Sequence, residues 1–186
     1  MKGKHKQRQP ATIEETTPSA NEVCLESVKE GELGRVRAFL QHGVAVDWQD
    51  ENGFSLLFHA IFRRHFAVAE ELLARGANID HANRHGWTPL FWAAFNDHQD
   101  IVGFLISHRA DVNAATHDGE LPFFVAVYKG YTDVVRLLLA GGAQWDAVDS
   151  GGLGALCVAR MMGHHEIVKL LEARAAVPGV QLPDTH

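Results

Sequence analysis

The sequence predicts an all-α solenoid: stacked helix-turn-helix units with hairpin-like loops projecting to one side. Three observations carry this. Gly53, Gly86, Gly119 and Gly152 recur every 33 residues, as do Ala60, Ala93, Ala126 and Ala159, and Leu72, Leu105, Leu138 and Leu171. Ala77, Ala110 and Ala143 keep the same phase, and Gly43, Gly76 and Gly142 fall in register with Arg109. Within each period a turn signal precedes two short apolar patterns of helical spacing. Columns this numerous sharing one period of this length indicate stacked helical repeats.

The units fall at about 17–49, 50–82, 83–115, 116–148 and 149–176, a repeat domain over 20–176. A basic, disordered leader is expected before it (1–19) and a flexible tail after it (177–186). The third unit is read most fully. Gly86 permits a turn that a side chain would obstruct. Thr88 is placed to cap the next helix, with Pro89 at its first position, where a missing N–H costs nothing. Leu90, Ala93 and Ala94 share one face of that helix, and the small alanines let a neighbouring helix approach. Asp100 stands near the positive end of a second helix, whose apolar stripe is Ile101, Val102, Leu105 and Ile106. Arg109 to Asn113 then runs out into an extended loop. In the first unit Leu25, Gly31, Val36, Phe39 and Leu40 fit, but the opening turn is missing. The last unit ends at Leu170, Leu171 and Glu172 before a Pro- and Gly-containing tail. Both look like end caps, polar on the side no neighbour covers.

Gly86-Trp-Thr-Pro-Leu-Phe-Trp-Ala-Ala, Ile101-Val-Gly-Phe-Leu-Ile and Ala110-Asp-Val-Asn together resemble the ankyrin repeat. Arg75-Gly-Ala-Asn-Ile-Asp and Gly163-His-His-Glu-Ile-Val-Lys-Leu-Leu are similar to other stretches of the same consensus. The resemblance covers about residues 21–175 and implies five repeats, the first and last degenerate. It is highly specific for fold and says little about biochemical role, since the family hosts unrelated binding functions. Arg64 and Asp97 depart from the pattern. They stand where Gly130 and Gly163 end the first helix of their units, a left-handed position that costs a side-chain-bearing residue about 1 kcal/mol. Less regular turns are expected there.

Composition excludes several classes. The chain has 186 residues, a formal charge of −6 and 46% hydrophobic residues, which suits a soluble globular protein with one core. It has no apolar run long enough for a membrane helix. The basic start (Lys2, Lys4, Lys6, Arg8) is followed by Thr, Glu and Pro rather than an apolar stretch, so no secretory signal is expected. Cys24 and Cys157 are far apart, which excludes a disulfide scaffold and suggests a reduced, cytoplasmic protein. Both read as packing residues. The acidic body argues against nucleic acid as the main partner, because phosphate binding needs a basic footprint.

Twelve histidines raise the question of a metal site. His81 and His85 sit in a loop, and adjacent His164 and His165 diverge. His65, His98 and His164 occupy one repeat column and are expected to hydrogen-bond at the turn between helices. No metal and no cofactor are predicted. Gly151-Gly-Leu-Gly lacks the lysine of a phosphate loop and reads as a repeat turn. Ser55 and His59 suggest a nucleophile and base, but Ser55 falls in the capping column, and no catalytic role is assigned.

The aromatic pattern is more informative. In ankyrin-type solenoids the loop tips and the exposed side of the first helix form a concave binding face. By register, Phe54, Trp87, Glu120 and Leu153 follow each glycine on the outward side. Phe62, Phe95, Tyr128 and Met161 lie late in each first helix, beside Arg63, Asn96, Lys129 and Met162. Contiguous exposed apolar surface marks an interface, and aromatics with nearby Arg are typical hot spots. The predicted partner-binding residues are therefore Trp48, Phe54, Phe62, Arg63, Trp87, Phe95, Asn96, Tyr128, Lys129 and Met161, with Trp87 and Phe95 central and outside the repeat core. Trp92 and Trp145 are expected to pack between repeats. The expected function is that of a non-enzymatic, monomeric module binding a protein of unidentified nature, with no small-molecule substrate. An inhibitor or immunity protein blocking a toxin or enzyme, and a delivered effector engaging a host protein, remain as alternatives. An enzyme on the same scaffold is a distant one.

Overall fold

The computed structural model describes residues 18–149 and 151–176. Residues 1–17, most of the expected leader, and the tail 177–186 lie outside the described residues. Five helix pairs follow one another: α1 (Ala20–Glu30) with α2 (Leu33–Gln41), α3 (Leu56–Phe62) with α4 (Phe66–Ala74), and α5 (Pro89–Phe95) with α6 (Gln99–Ser107). Then come α7 (Pro122–Lys129) with α8 (Thr132–Ala140) and α9 (Ala155–Met162) with α10 (His165–Ala175). No strand longer than an isolated bridge occurs among the described residues; two such bridges, Gln49 with Ser55 and Val148 with Gly154, close hairpin-like loops. The fold is an all-α repeat solenoid.

The helices start where the capping residues stand. The Ser55 and Thr88 hydroxyls each accept from an amide three residues on, Phe58 and Phe91, at 3.2 Å. α1 does not begin from a hairpin turn. Instead Ser19 and Glu22 form a reciprocal capping box, in which the Ser19 amide donates to the Glu22 carboxylate at 2.7 Å and the Glu22 amide to the Ser19 hydroxyl at 3.3 Å. Each inner helix buries its small and aliphatic positions, such as Ala60, Ala93, Ala126 and Ala159, while Leu72, Leu105, Leu138 and Leu171 are fully buried on the outer helices.

The loops are tied to each other across repeats. Asp47, Asp80 and Asn113, each 33 residues from the next, accept through a side-chain oxygen from the amides of Asn78, Asp111 and Gln144 at 2.8–3.0 Å. Burial raises the Asp80 carboxyl above its ordinary pKa, against the lowering effect of the Asp111 amide. Within the loops a second column, Asp50, Asn83, Thr116 and Asp149, accepts from amides at the hairpin tip. These bonds set the backbone of Phe54, Trp87, Glu120 and Leu153. Trp145 is 9% exposed and joins the core, as expected.

The turns at Arg64 and Asp97 are left-handed (φ 61° and 58°), and their backbone is regular. The His65 and His98 amides reach the Ala60 and Ala93 carbonyls at 2.9 and 3.0 Å, as the Tyr131 and His164 amides reach Ala126 and Ala159 after glycine turns. The expected irregularity lies instead in the next repeat. His65 and His164 donate from Nε2 to the carbonyls of Lys29 and Tyr128 at 2.9 and 3.0 Å, their rings lying against Gly31 and Gly130. A Cβ on either glycine would stand 2.6 Å from the ring. Arg64 carries such a Cβ, and His98, the histidine of the following repeat, makes no corresponding bond; its ring lies edge-on to Phe62, 5.8 Å away. After Asp97 the following repeat has Tyr131 in that column. The expected turn bond of His98 is therefore corrected, for a steric reason.

The same junction is wider than the others. The backbones of α1 and α3, α5 and α7, and α7 and α9 pack closely, whereas those of α3 and α5 do not, nor do those of α4 and α6. Ile61 stands in the column that α5 fills with Ala94, and rings occupy the space between. Trp92 packs edge-on to Phe58 at 5.9 Å, and on the outer side Phe66 meets Phe104 at 4.8 Å.

Candidate protein-interaction face

The inner helices and loop tips bring the predicted aromatics to one side, but the rings serve each other first. Phe54 stacks on Phe58 (4.2 Å) and Phe58 on Phe62 (4.3 Å), forming a column along α3. The Trp92 ring stands edge-on to all three and meets Trp87 at 5.2 Å. Trp87 in turn packs on fully buried Phe91 (5.3 Å) and on Phe95 (5.5 Å). Aromatic pairs at such distances stabilise beyond area burial alone. Phe54, Phe62, Trp87 and Phe95 are half-buried in this cluster. Phe62 also packs against the main core cluster, while Trp87 and Phe95 rest on buried Phe91. Phe58 and Trp92 were not singled out for this face, and the signal was their place, at three- and four-residue spacing, on the faces of α3 and α5 that meet there.

Trp48 is half-buried against the core, and its carbonyl accepts from the Leu56 amide. No aromatic pair among the described residues includes it. Arg63 and Asn96 are exposed; the Asn96 side chain donates to the Trp92 carbonyl at 2.8 Å. Lys129 reaches back one repeat, its Nζ 3.9 Å from the centre of the Phe95 ring. Tyr128 and Met161 are open to solvent, 59% and 70% exposed. Val148, Leu153 and Met162 are exposed beside them, so the open apolar surface sits on the fourth and fifth repeats. Cys157 is also exposed on α9, which corrects its reading as a packing residue; Cys24 is buried, and burial raises its thiol pKa.

Electrostatics adds one organised pair. The His59 ring, edge-on to both Phe54 and Phe58, donates from Nε2 to Asp50 Oδ2 at 2.9 Å. Burial lowers the His59 pKa and outweighs the opposing pull of Asp50. Burial alone would raise Asp50, but the Phe54 amide, His59 and the Asn52 amide bring its carboxyl below the ordinary value. The pair buttresses the hairpin under Phe54. Among the described residues no three His, Cys, Asp or Glu side chains converge to hold a metal ion, and no helix is long and apolar enough to cross a membrane.

A stack of helix pairs with tethered loops and a partly open inner face is the architecture of a repeat-type binding scaffold. The sequence matches a family model described as ankyrin repeats (3 copies) over two spans, residues 25–116 and 114–180, and the chain belongs to the ankyrin repeat family. Repeats of this family generally mediate protein–protein interaction and are typically non-enzymatic. No curated protein matches the chain.

Proposed function

We propose that this protein binds a partner protein along its concave inner face, from the aromatic cluster of the second and third repeats to the open surface of the fourth and fifth. One observation carries the reading. The large apolar side chains that the described fold leaves exposed are Tyr128, Val148, Leu153, Met161 and Met162, all on the fourth and fifth repeats. Tyr128 and Met161 continue the column of Phe62 and Phe95, and Leu153 continues that of Phe54 and Trp87. Exposed apolar surface of this kind is a cost to an isolated soluble protein and a gain once covered. Lys129 on Phe95 joins the two halves and supplies a charge at the edge, where Arg63 and Asn96 also stand.

The half-buried rings make Trp87→Ala a poor test, because it perturbs packing as well as surface. Tyr128→Ala with Met161→Ala is better. Full-length wild type and the double variant are used as baits in the native cell, and captured proteins are quantified. Loss of a specific partner by about thirtyfold, at an unchanged melting temperature, is expected for hot-spot side chains. Equal recovery of every partner by both baits would refute the assignment.

A further inference from the structure

We propose that the cavity between the fourth and fifth repeats is a docking pocket for one arginine side chain on an extended segment of the partner protein. This rests on the protein-binding reading above and names the chemistry of its anchor. The cavity is about 140 Å³, with Phe124, Val125, Tyr128 and Val158 in its walls and the acidic residues Glu120 and Asp149 also lining it. No Lys or Arg lines it.

The cavity has a clear origin in the repeat pattern. At the wide second junction Trp92 fills the space beside the preceding inner helix. The next two residues in that column are Val125 and Val158, and both line the cavity. Val158 faces Glu120, Phe124 and Tyr128 as Trp92 faces Phe54, Phe58 and Phe62, and its isopropyl group leaves open the space that a ring would have taken. The two carboxylates come from consecutive hairpins and both have tethered backbones. The Glu120 amide donates to the Thr116 hydroxyl at 3.1 Å and its carbonyl accepts from the Thr116 amide at 2.9 Å. Asp149 Oδ1 accepts from the amides of Gly151 and Leu153 at 2.9 and 2.8 Å. A carboxylate offers about four acceptor positions, so two amide bonds do not saturate it.

The lining selects its occupant. An aliphatic side chain would suit the walls but strip water from two carboxylates without replacing it, which is costly. An anion or a phosphate would be repelled, which disfavours nucleic acid and anionic membranes. A long side chain with an apolar stem and a cationic head satisfies both parts. Arginine does so better than lysine. Its planar guanidinium stacks on a ring such as Tyr128 and offers five donors to acceptors on two sides, whereas the lysine ammonium is a compact, strongly hydrated charge. The exposed Leu153, Met161 and Met162 nearby indicate a polypeptide rather than a free guanidinium compound, since only neighbouring residues of a chain would cover them.

The test pans a library of random twelve-residue peptides displayed on phage against the full chain. Selected peptides are expected to share an arginine at one position, and changing it to alanine should weaken binding about tenfold or more, as for hydrogen bonds to charged groups. Glu120→Gln should cost a similar factor at unchanged melting temperature. Val158→Trp, which places a ring in this cavity as Trp92 does at the second junction, should abolish binding; if it fails to fold, Glu120→Gln still decides. Peptides with no shared arginine, peptides indifferent to Glu120→Gln, or recovery of no enriched peptide would each overturn the pocket. Peptides lacking arginine but lost on Met161→Ala would do so while leaving the concave-face reading intact. Peptides insensitive to Glu120→Gln, Tyr128→Ala and Met161→Ala alike would sink both.

Discussion

Replacing Arg64 by glycine should stabilise the protein and recouple its second and third repeats. Arg64 holds φ 61°, and relief of a left-handed side-chain-bearing residue contributes about 1–2 kcal/mol. Removing its Cβ also clears the seat that Gly31 and Gly130 give to His65 and His164. His98 then reaches the Phe62 carbonyl, for a net gain of about 0.5–1.5 kcal/mol. Two terms oppose this. The Arg64–Asp100 pair, at 2.8 Å, is half-exposed on both sides and contributes about 0–1 kcal/mol after solvent screening. The unfolded chain gains freedom by about 0.4–1 kcal/mol. The balance is a stabilisation of about 1 kcal/mol, or a melting temperature about 2–4 °C higher for a domain of this size. The decisive measurement is a double-mutant cycle with His98→Ala, read by urea unfolding. In the parent, loss of the His98 ring removes no hydrogen bond. In the Arg64→Gly background it should cost about 1 kcal/mol more. A coupling energy of zero would refute the steric account of the unlatched histidine.

Two further outcomes follow from packing and titration. Leu105→Ala, at a fully buried outer-helix position, should cost about 2–5 kcal/mol through a cavity, measured by thermal or urea unfolding, with little change in partner affinity per folded molecule. His59 is held below its ordinary pKa by burial, so below about pH 6.5 the unfolded state binds the proton more readily than the folded state. Its contribution is therefore complete above that pH and is lost as pH falls toward the folded value, since stability rises with pH wherever the unfolded state holds more protons. The drop in melting temperature between pH 7 and pH 5 should be smaller in His59→Gln; an equal drop would remove His59 from the account.

What the sequence by itself determined is the part of the molecule governed by local chemistry and by the period. Ser55 and Thr88 start helices because a hydroxyl three residues before an amide can cap it wherever the chain lies. Gly53, Gly86, Gly119 and Gly152 mark turns, and Arg64 and Asp97 take the left-handed conformation, because these are properties of single residues in a fixed register. The 33-residue columns imply stacking, since a unit with one apolar face needs a copy of itself to cover it. The tertiary structure decided how open each side chain is, because that depends on residues one repeat away. Phe95 and Tyr128 share a column, yet Phe95 is half-buried against Trp87 under the Lys129 ammonium while Tyr128 faces solvent. Trp92 fills the second junction, whereas Val158, in the same column, leaves a cavity at the fourth. His98 carries the same label as His65 and His164 but lacks their bond, because the residue it would rest on has a Cβ. Cys157 lies in the column of buried Phe91 but stays exposed, because the fifth repeat has no following repeat among the described residues to cover it. Register assigns a residue to a face; only the volume of its neighbours decides whether that face is filled, latched or left open.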